Sequence, residues 1–270
     1  MSNPNCWLRD INVQKQLEKF FSDADQQFST YYEANPHTGE PQLDGRLASC
    51  LEKDTLDSLQ LYLKHIEQKR RKAGLRPLRL SFKVTHITSA EAQHGADIGL
   101  VASLDVPGEY ILTKAVLVQT KRLHPNPDDT FSENCSYPEL FKQRSIPQWE
   151  RMLEQTPGSV YFFYNPYQLL VRRTIKTVGT RVVSAQHISG IAHRNVRNGF
   201  TVLDAYDRGK PLAKWFVEDF ICCLVGDARP EIVDTALGKN PRYPVRLSIL
   251  VTVETEVTEL SLWEQKGHKL

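Results

Sequence analysis

The chain has 270 residues, 40% of them hydrophobic and 24% charged, with a formal net charge of +2. That is ordinary globular composition with room for a sizeable core, and it excludes a global basic field, so any nucleic-acid surface must be a local patch. Five scattered cysteines without a CxxC pair argue against a disulfide framework or a structural zinc site and fit a reducing cytosol.

The N-terminal stretch contains Pro4, Trp7 and charged residues rather than an apolar signal core, and the longest apolar run, near Phe220–Val225, is far too short to span a bilayer. The expectation is a protein of the cytoplasm with no membrane partner. Leu17, Phe20, Phe21, Ala24 and Phe28 recur at helical spacing and predict a helix over 12–32. The stretch from Asn35 to Pro41 reads as a turn, and a second helix is predicted over 44–72, ending in the basic run Lys69, Arg70, Arg71 and Lys72. Three strands are then predicted, over 78–87, 97–104 and 111–121, the last apolar enough for burial on both faces. Pro147 opens a helix to about Gln155. Strands follow over 159–164, 168–173 and 181–183, then a helix over 212–225 and a closing strand over 245–253. This order predicts an α/β fold with a mixed central sheet flanked by helices. The expected organisation is a helical extension over 1–43, a core over 44–175 and a C-terminal α/β extension over 176–270 that packs on the same core.

The chemistry centres on the pattern Asp–spacer–[Asp/Glu/Gln]-x-Lys. Its second half occurs at Glu67-x-Lys69, Gln119-x-Lys121 and Glu264-x-Lys266. Only Gln119 and Lys121 end an apolar strand that follows another strand beginning with an aspartate. With the turn centred near Gly108, antiparallel partners sum to about 216, which sets Asp97 opposite Gln119. Gln119 and Lys121 share a face because strand side chains alternate. In-line phosphodiester hydrolysis needs a water nucleophile and relief of charge on the phosphoryl oxygens, and Mg2+ (or Mn2+) takes oxygen ligands. Asp97 supplies the anionic ligand, Gln119 an amide oxygen and Thr120 a backbone carbonyl, while Lys121 orients water and opposes developing charge. A second carboxylate is wanted, with Glu52 on the preceding helix as first candidate and Glu91 and Glu40 as alternatives.

Gly95-Ala96-Asp97-Ile98 followed by Val118-Gln119-Thr120-Lys121 resembles the core of Mrr-type members of the PD-(D/E)xK, restriction-endonuclease-like superfamily. The resemblance covers roughly residues 44–164, with Ala96 at the position of the namesake proline. It implies a four-stranded mixed core sheet and metal-dependent DNA cleavage in bacterial defence against foreign DNA. It also implies a helix glutamate completing the metal site, with Gln148 as a further site glutamine. The basic run at 69–72 would contact DNA phosphates, and a homo-oligomer or protein partner would control activity. The competing expectation is a nuclease-fold subunit without cleavage, which binds a protein or nucleic acid within an assembly.

Overall fold

Helix α1 (Ile11–Ala34) turns a continuous stripe, from Val13 through Leu17, Phe21 and Phe28 to Tyr32, into the interior. The computed structural model describes residues 11–52, 78–87, 96–106, 110–137, 147–193, 200–222 and 224–255. Helix α2 (Glu40–Glu52) begins four residues earlier than its sequence pattern suggests. Pro41 caused the difference: it reads as a turn residue, yet it occupies the first helical turn, where its missing N–H is not needed.

Strands β1 (Leu78–His86), β2 (Ile98–Val106) and β3 (Tyr110–Arg122) lie within two residues of the three strands predicted over 78–87, 97–104 and 111–121. The loop after β3 carries a two-residue strand, β4 (Ser136–Tyr137). Helix α3 (Gln148–Gln155) follows Pro147, and β5 (Val160–Tyr164) is buried throughout. Strands β6 (Gln168–Val171) and β7 (Thr174–Thr177) form a separate hairpin, where the sequence pattern predicts a single strand. Then come β8 (Arg181–Ser184), α4 (Ala185–Ala192), β9 (Phe200–Thr201), α5 (Val202–Arg208) and β10 (Lys210–Pro211). A helical turn, α6 (Leu212–Lys214), runs directly into a π-helix over Trp215–Ile221. The sequence pattern there predicts an ordinary amphipathic helix, and the wider i→i+5 winding leaves that pattern unchanged. Helix α7 (Pro230–Ala236) and strand β11 (Leu247–Thr255) complete the described chain.

The central sheet has seven strands in the order β1-β11-β2-β3-β5-β8-β10. It is mixed: β2–β3, β1–β11 and β5–β8 are antiparallel, whereas β11–β2 and β3–β5 are parallel. The parallel step from β3 to β5 requires a crossover, and α3 lies within it. One face packs on α1, α2 and the π-helix through Val116, Val118, Phe162 and Val251. The other packs on α3, α4, α5 and α7 through Ala115, Leu117, Tyr161 and Phe163. With helices on both sides, β2, β3 and β5 are buried on both faces, which is why they read as near-continuous apolar runs. Residues 176–270 contribute β8, β10 and β11 to this sheet. Cys50 and Cys135 are buried and not part of a disulfide, while Cys222 is disulfide-bonded, which the scattered cysteines did not predict. Among the described residues no helix is long and apolar enough to cross a membrane.

Candidate active site

The β2–β3 hairpin pairs Ile98 with Val118, and the Asp97 N–H donates to the Val118 carbonyl at 2.8 Å. Asp97 therefore stands opposite Gln119 at the end of the sheet. One carboxylate oxygen, Oδ2, accepts from the Gln119 amide nitrogen, from the Thr120 N–H at 2.8 Å and from the Thr120 hydroxyl at 3.0 Å. Gln119 and Thr120 leave the strand on opposite faces, yet both reach the same oxygen because Asp97 sits in the bend just before β2. The other oxygen, Oδ1, lies 2.6 Å from Nη2 of Arg246.

Arg246 is delivered by topology. Strand β11 runs parallel beside β2 with Leu247 level with Ile98, and the N–H groups of Arg246 and Leu247 both donate to the Asp97 carbonyl, at 2.9 and 3.2 Å. The same Nη2 lies 2.9 Å from Oδ2 of Asp44, whose Oδ1 accepts from the Tyr164 hydroxyl at 2.8 Å. Lys121 does not touch Asp97. Its Nζ reaches over the end of the sheet to Oε2 of Glu40 at 3.7 Å, and Oε1 of Glu40 accepts from the Arg122 N–H at 3.2 Å.

Glu40 and Asp44 are one helical turn apart in the first half of α2. They continue the Leu47 and Leu51 stripe towards the helix N-terminus, where the macrodipole favours acids. The structure does not bring Glu52 to this cluster. It is the last residue of α2, about 18 Å along the axis from Glu40 at a rise of about 1.5 Å per residue. The helix acids at the site are therefore Glu40, an alternative in the sequence reading, and Asp44, which that reading missed. An acid pair extending the apolar stripe was the available signal for Asp44; nothing local marked Arg246 or Tyr164.

The cluster is crowded with negative charge: Glu40, Asp44 and Asp97 face two cationic groups, Lys121 and Arg246. Burial, reinforced by the Asp97 charge, pushes Asp44 from its ordinary 3.8 up to about 7. Burial raises Glu40 as well; Lys121 pulls it back and Asp97 adds to the rise. For Arg246 burial opposes the charge, but Asp97, Asp44 and Glu40 together leave its pKa raised. Oε1 of Gln119 is buried with no hydrogen-bond partner, as is Nε of Arg246. A buried acceptor without a donor is costly, and it marks a place where a further group would be stabilised.

Divalent cations such as Mg2+ take oxygen ligands. Carboxylates from Asp97, Asp44 and Glu40, with the bare amide oxygen of Gln119, match that donor chemistry. Among the described residues no three or more His, Cys, Asp or Glu side chains are already gathered as a metal cage, and Asp97 and Asp44 are bridged by Arg246 instead. The Thr120 carbonyl, expected to be a ligand, accepts from the Gln119 amide at 3.4 Å.

Gln148 opens α3, is exposed, and takes no part in the hydrogen bonds of the cluster. Lys69, Arg70, Arg71, Lys72 and Glu91 lie outside the described residues. Arg172, Arg173, Lys176 and Arg181 are close in sequence but do not form one basic surface. Arg181 is buried, donates to the carbonyls of Val178 and Thr177, and lies over the Tyr206 ring. No family model, no curated protein and no solved structure matches the chain.

Proposed function

We propose that the chain is a divalent-cation-dependent nuclease of the PD-(D/E)xK kind that hydrolyses phosphodiester bonds in DNA. The observation that carries this reading is the bare, buried Gln119 amide oxygen beside the buried Asp97, in a cluster at the end of the β2–β3 hairpin that also holds the buried Asp44 and the half-buried Glu40. The order helix, strand, strand, strand, helix, strand around the cluster supports it, as does the mixed sheet. A bound Mg2+ or Mn2+ would supply Lewis acidity to a phosphoryl oxygen and a more acidic bound water. Asp97, Gln119 and the α2 acids would hold it. Lys121 orients the attacking water and opposes charge developing on the phosphate, and Glu40 fixes the direction of its ammonium group.

The test is plasmid cleavage by the full chain in Mg2+ or Mn2+, with EDTA, Asp97→Asn and Lys121→Ala in parallel. The wild type is expected to nick or linearise DNA only with the metal. Each variant should lose about 10²–10³-fold, the usual scale for removing one charge-stabilising group. Cleavage that persists in Asp97→Asn would remove the site assignment. A second reading has its own observation: both carboxylate oxygens of Asp97 accept from protein donors, as in a purely structural ion network. A non-catalytic nuclease-fold subunit then predicts no metal-dependent cleavage under any of these conditions.

A further inference from the structure

Among the side chains around Asp97, Arg246 differs in its freedom. Asp97 is fixed by Gln119 and Thr120, and Asp44 by Tyr164. Their side chains are 9% and 3% exposed, against 31% for Arg246. The Arg246 backbone is pinned to the Asp97 carbonyl, but its side chain is only part-buried. A single nitrogen, Nη2, touches carboxylates from two different elements at 2.6 and 2.9 Å. That is how a small cation is shared by two acids. The fit is nevertheless incomplete, since Nε of Arg246 and Oε1 of Gln119 are both buried without partners.

From this geometry we infer that Arg246 is an exchangeable counter-ion, which bridges Asp97 and Asp44 in the metal-free protein and swings out to solvent when a divalent cation takes its place. The inference rests on the divalent-cation reading above. Exchange replaces one positive charge by two, which offsets the third carboxylate. It also frees Oδ1 of Asp97, which Arg246 otherwise holds. Cation and guanidinium therefore compete for the same oxygens, so Arg246 weakens cation binding and keeps the site closed at low metal concentration.

The experiment titrates Mn2+ into the purified full chain and reads bound Mn2+ by electron paramagnetic resonance, without DNA. Wild type, Arg246→Ala, Arg246→Lys and Asp97→Asn are compared, with circular dichroism as the control for folding. Arg246→Ala is expected to bind Mn2+ on the order of tenfold more tightly, within the usual range of coupling between two ligands. Arg246→Lys, which keeps the charge on a smaller group without the planar fork, should gain less. Arg246→Lys also decides the matter if the alanine form does not fold. Affinity equal to or below wild type in the folded Arg246 variants overturns the counter-ion role. Wild type that binds no Mn2+, or binding unchanged by Asp97→Asn, overturns the cation reading itself and the inference with it.

Discussion

Asp25 shows at the scale of one residue how burial couples stability to pH. It lies inside α1, and its two carboxylate oxygens accept from the Thr180 N–H at 3.1 and 3.2 Å, with the Ser29 hydroxyl at 3.3 Å. Burial outweighs these donors and the Arg181 charge, and pushes its pKa from 3.8 up to about 6. A carboxyl raised on folding binds more protons in the native than in the unfolded state between those values. Native stability is therefore highest at the acid end of that window and falls as pH rises through it. At about 1.4 kcal/mol per pKa unit, Asp25 accounts for about 2–3 kcal/mol of that fall. Asp25→Asn cannot ionise, so the urea midpoint of the variant should decline by correspondingly less than wild type between about pH 4 and pH 6.5. Parallel curves for the two proteins would show that Asp25 does not titrate in this range. The same scale explains what could be read from sequence at the site. Asp97, Gln119 and Lys121 were legible because alternation and turn position fix them locally. Asp44, Arg246 and Tyr164 were not, because only the folded sheet brings α2, β5 and the start of β11 to one end of the β2–β3 hairpin.

At the scale of elements, Gly99 determines how closely α7 approaches the sheet. A Cβ built on Gly99 would lie 2.0 Å from the Ala236 carbonyl oxygen and 2.5 Å from its Cα, so backbone meets backbone with no flexible side chain to yield. Gly99→Ala must push the end of α7 off β2 and uncover Ile232 and Ala236, at a cost of about 3 kcal/mol or more, the upper end for overpacked cores. Gly190, exposed on α4 with nothing within 4 Å of its added Cβ, is the matched control. Gly190→Ala should raise stability by up to about 1 kcal/mol through helix propensity alone. Denaturant midpoints moving in opposite directions would bear out both arguments, and an unshifted Gly99→Ala midpoint would refute the first. The long elements were legible because they repeat their period several times. Helices α4, α5 and α7 span only 7 or 8 residues each, about two turns, too short to declare a period. The β6–β7 turn was hidden for another reason. Its left-handed positions, with φ of 49° and 63°, are held by Arg172 and Arg173 and not by the glycine or asparagine that normally signals such a turn.

The whole molecule depends on where its last described strand goes. Strand β11 inserts between β1 and β2, antiparallel to one and parallel to the other, so the sheet is completed by residues far along the chain from its first strands. No periodicity predicts that insertion: β11 looks apolar at any position in a buried sheet, and its neighbours are chosen by the global packing. Strands β2 and β3 send alternate side chains into the two cores, so neither core can form without the other. Heat unfolding should accordingly be one transition, with near-ultraviolet and far-ultraviolet signals sharing a midpoint. A chain ending at Asn240 removes β11 and Arg246 together. It leaves β1 without the strand it pairs with and exposes the edge of β2. It also leaves Asp44 and Asp97 facing each other without the guanidinium between them. Loss of the cooperative melt and of the near-ultraviolet signal, with dye binding to exposed apolar surface, is the expected outcome. A truncated chain that still melts sharply would mean that β1 and β2 can close against each other, and that β11 is an addition to a core which folds without it.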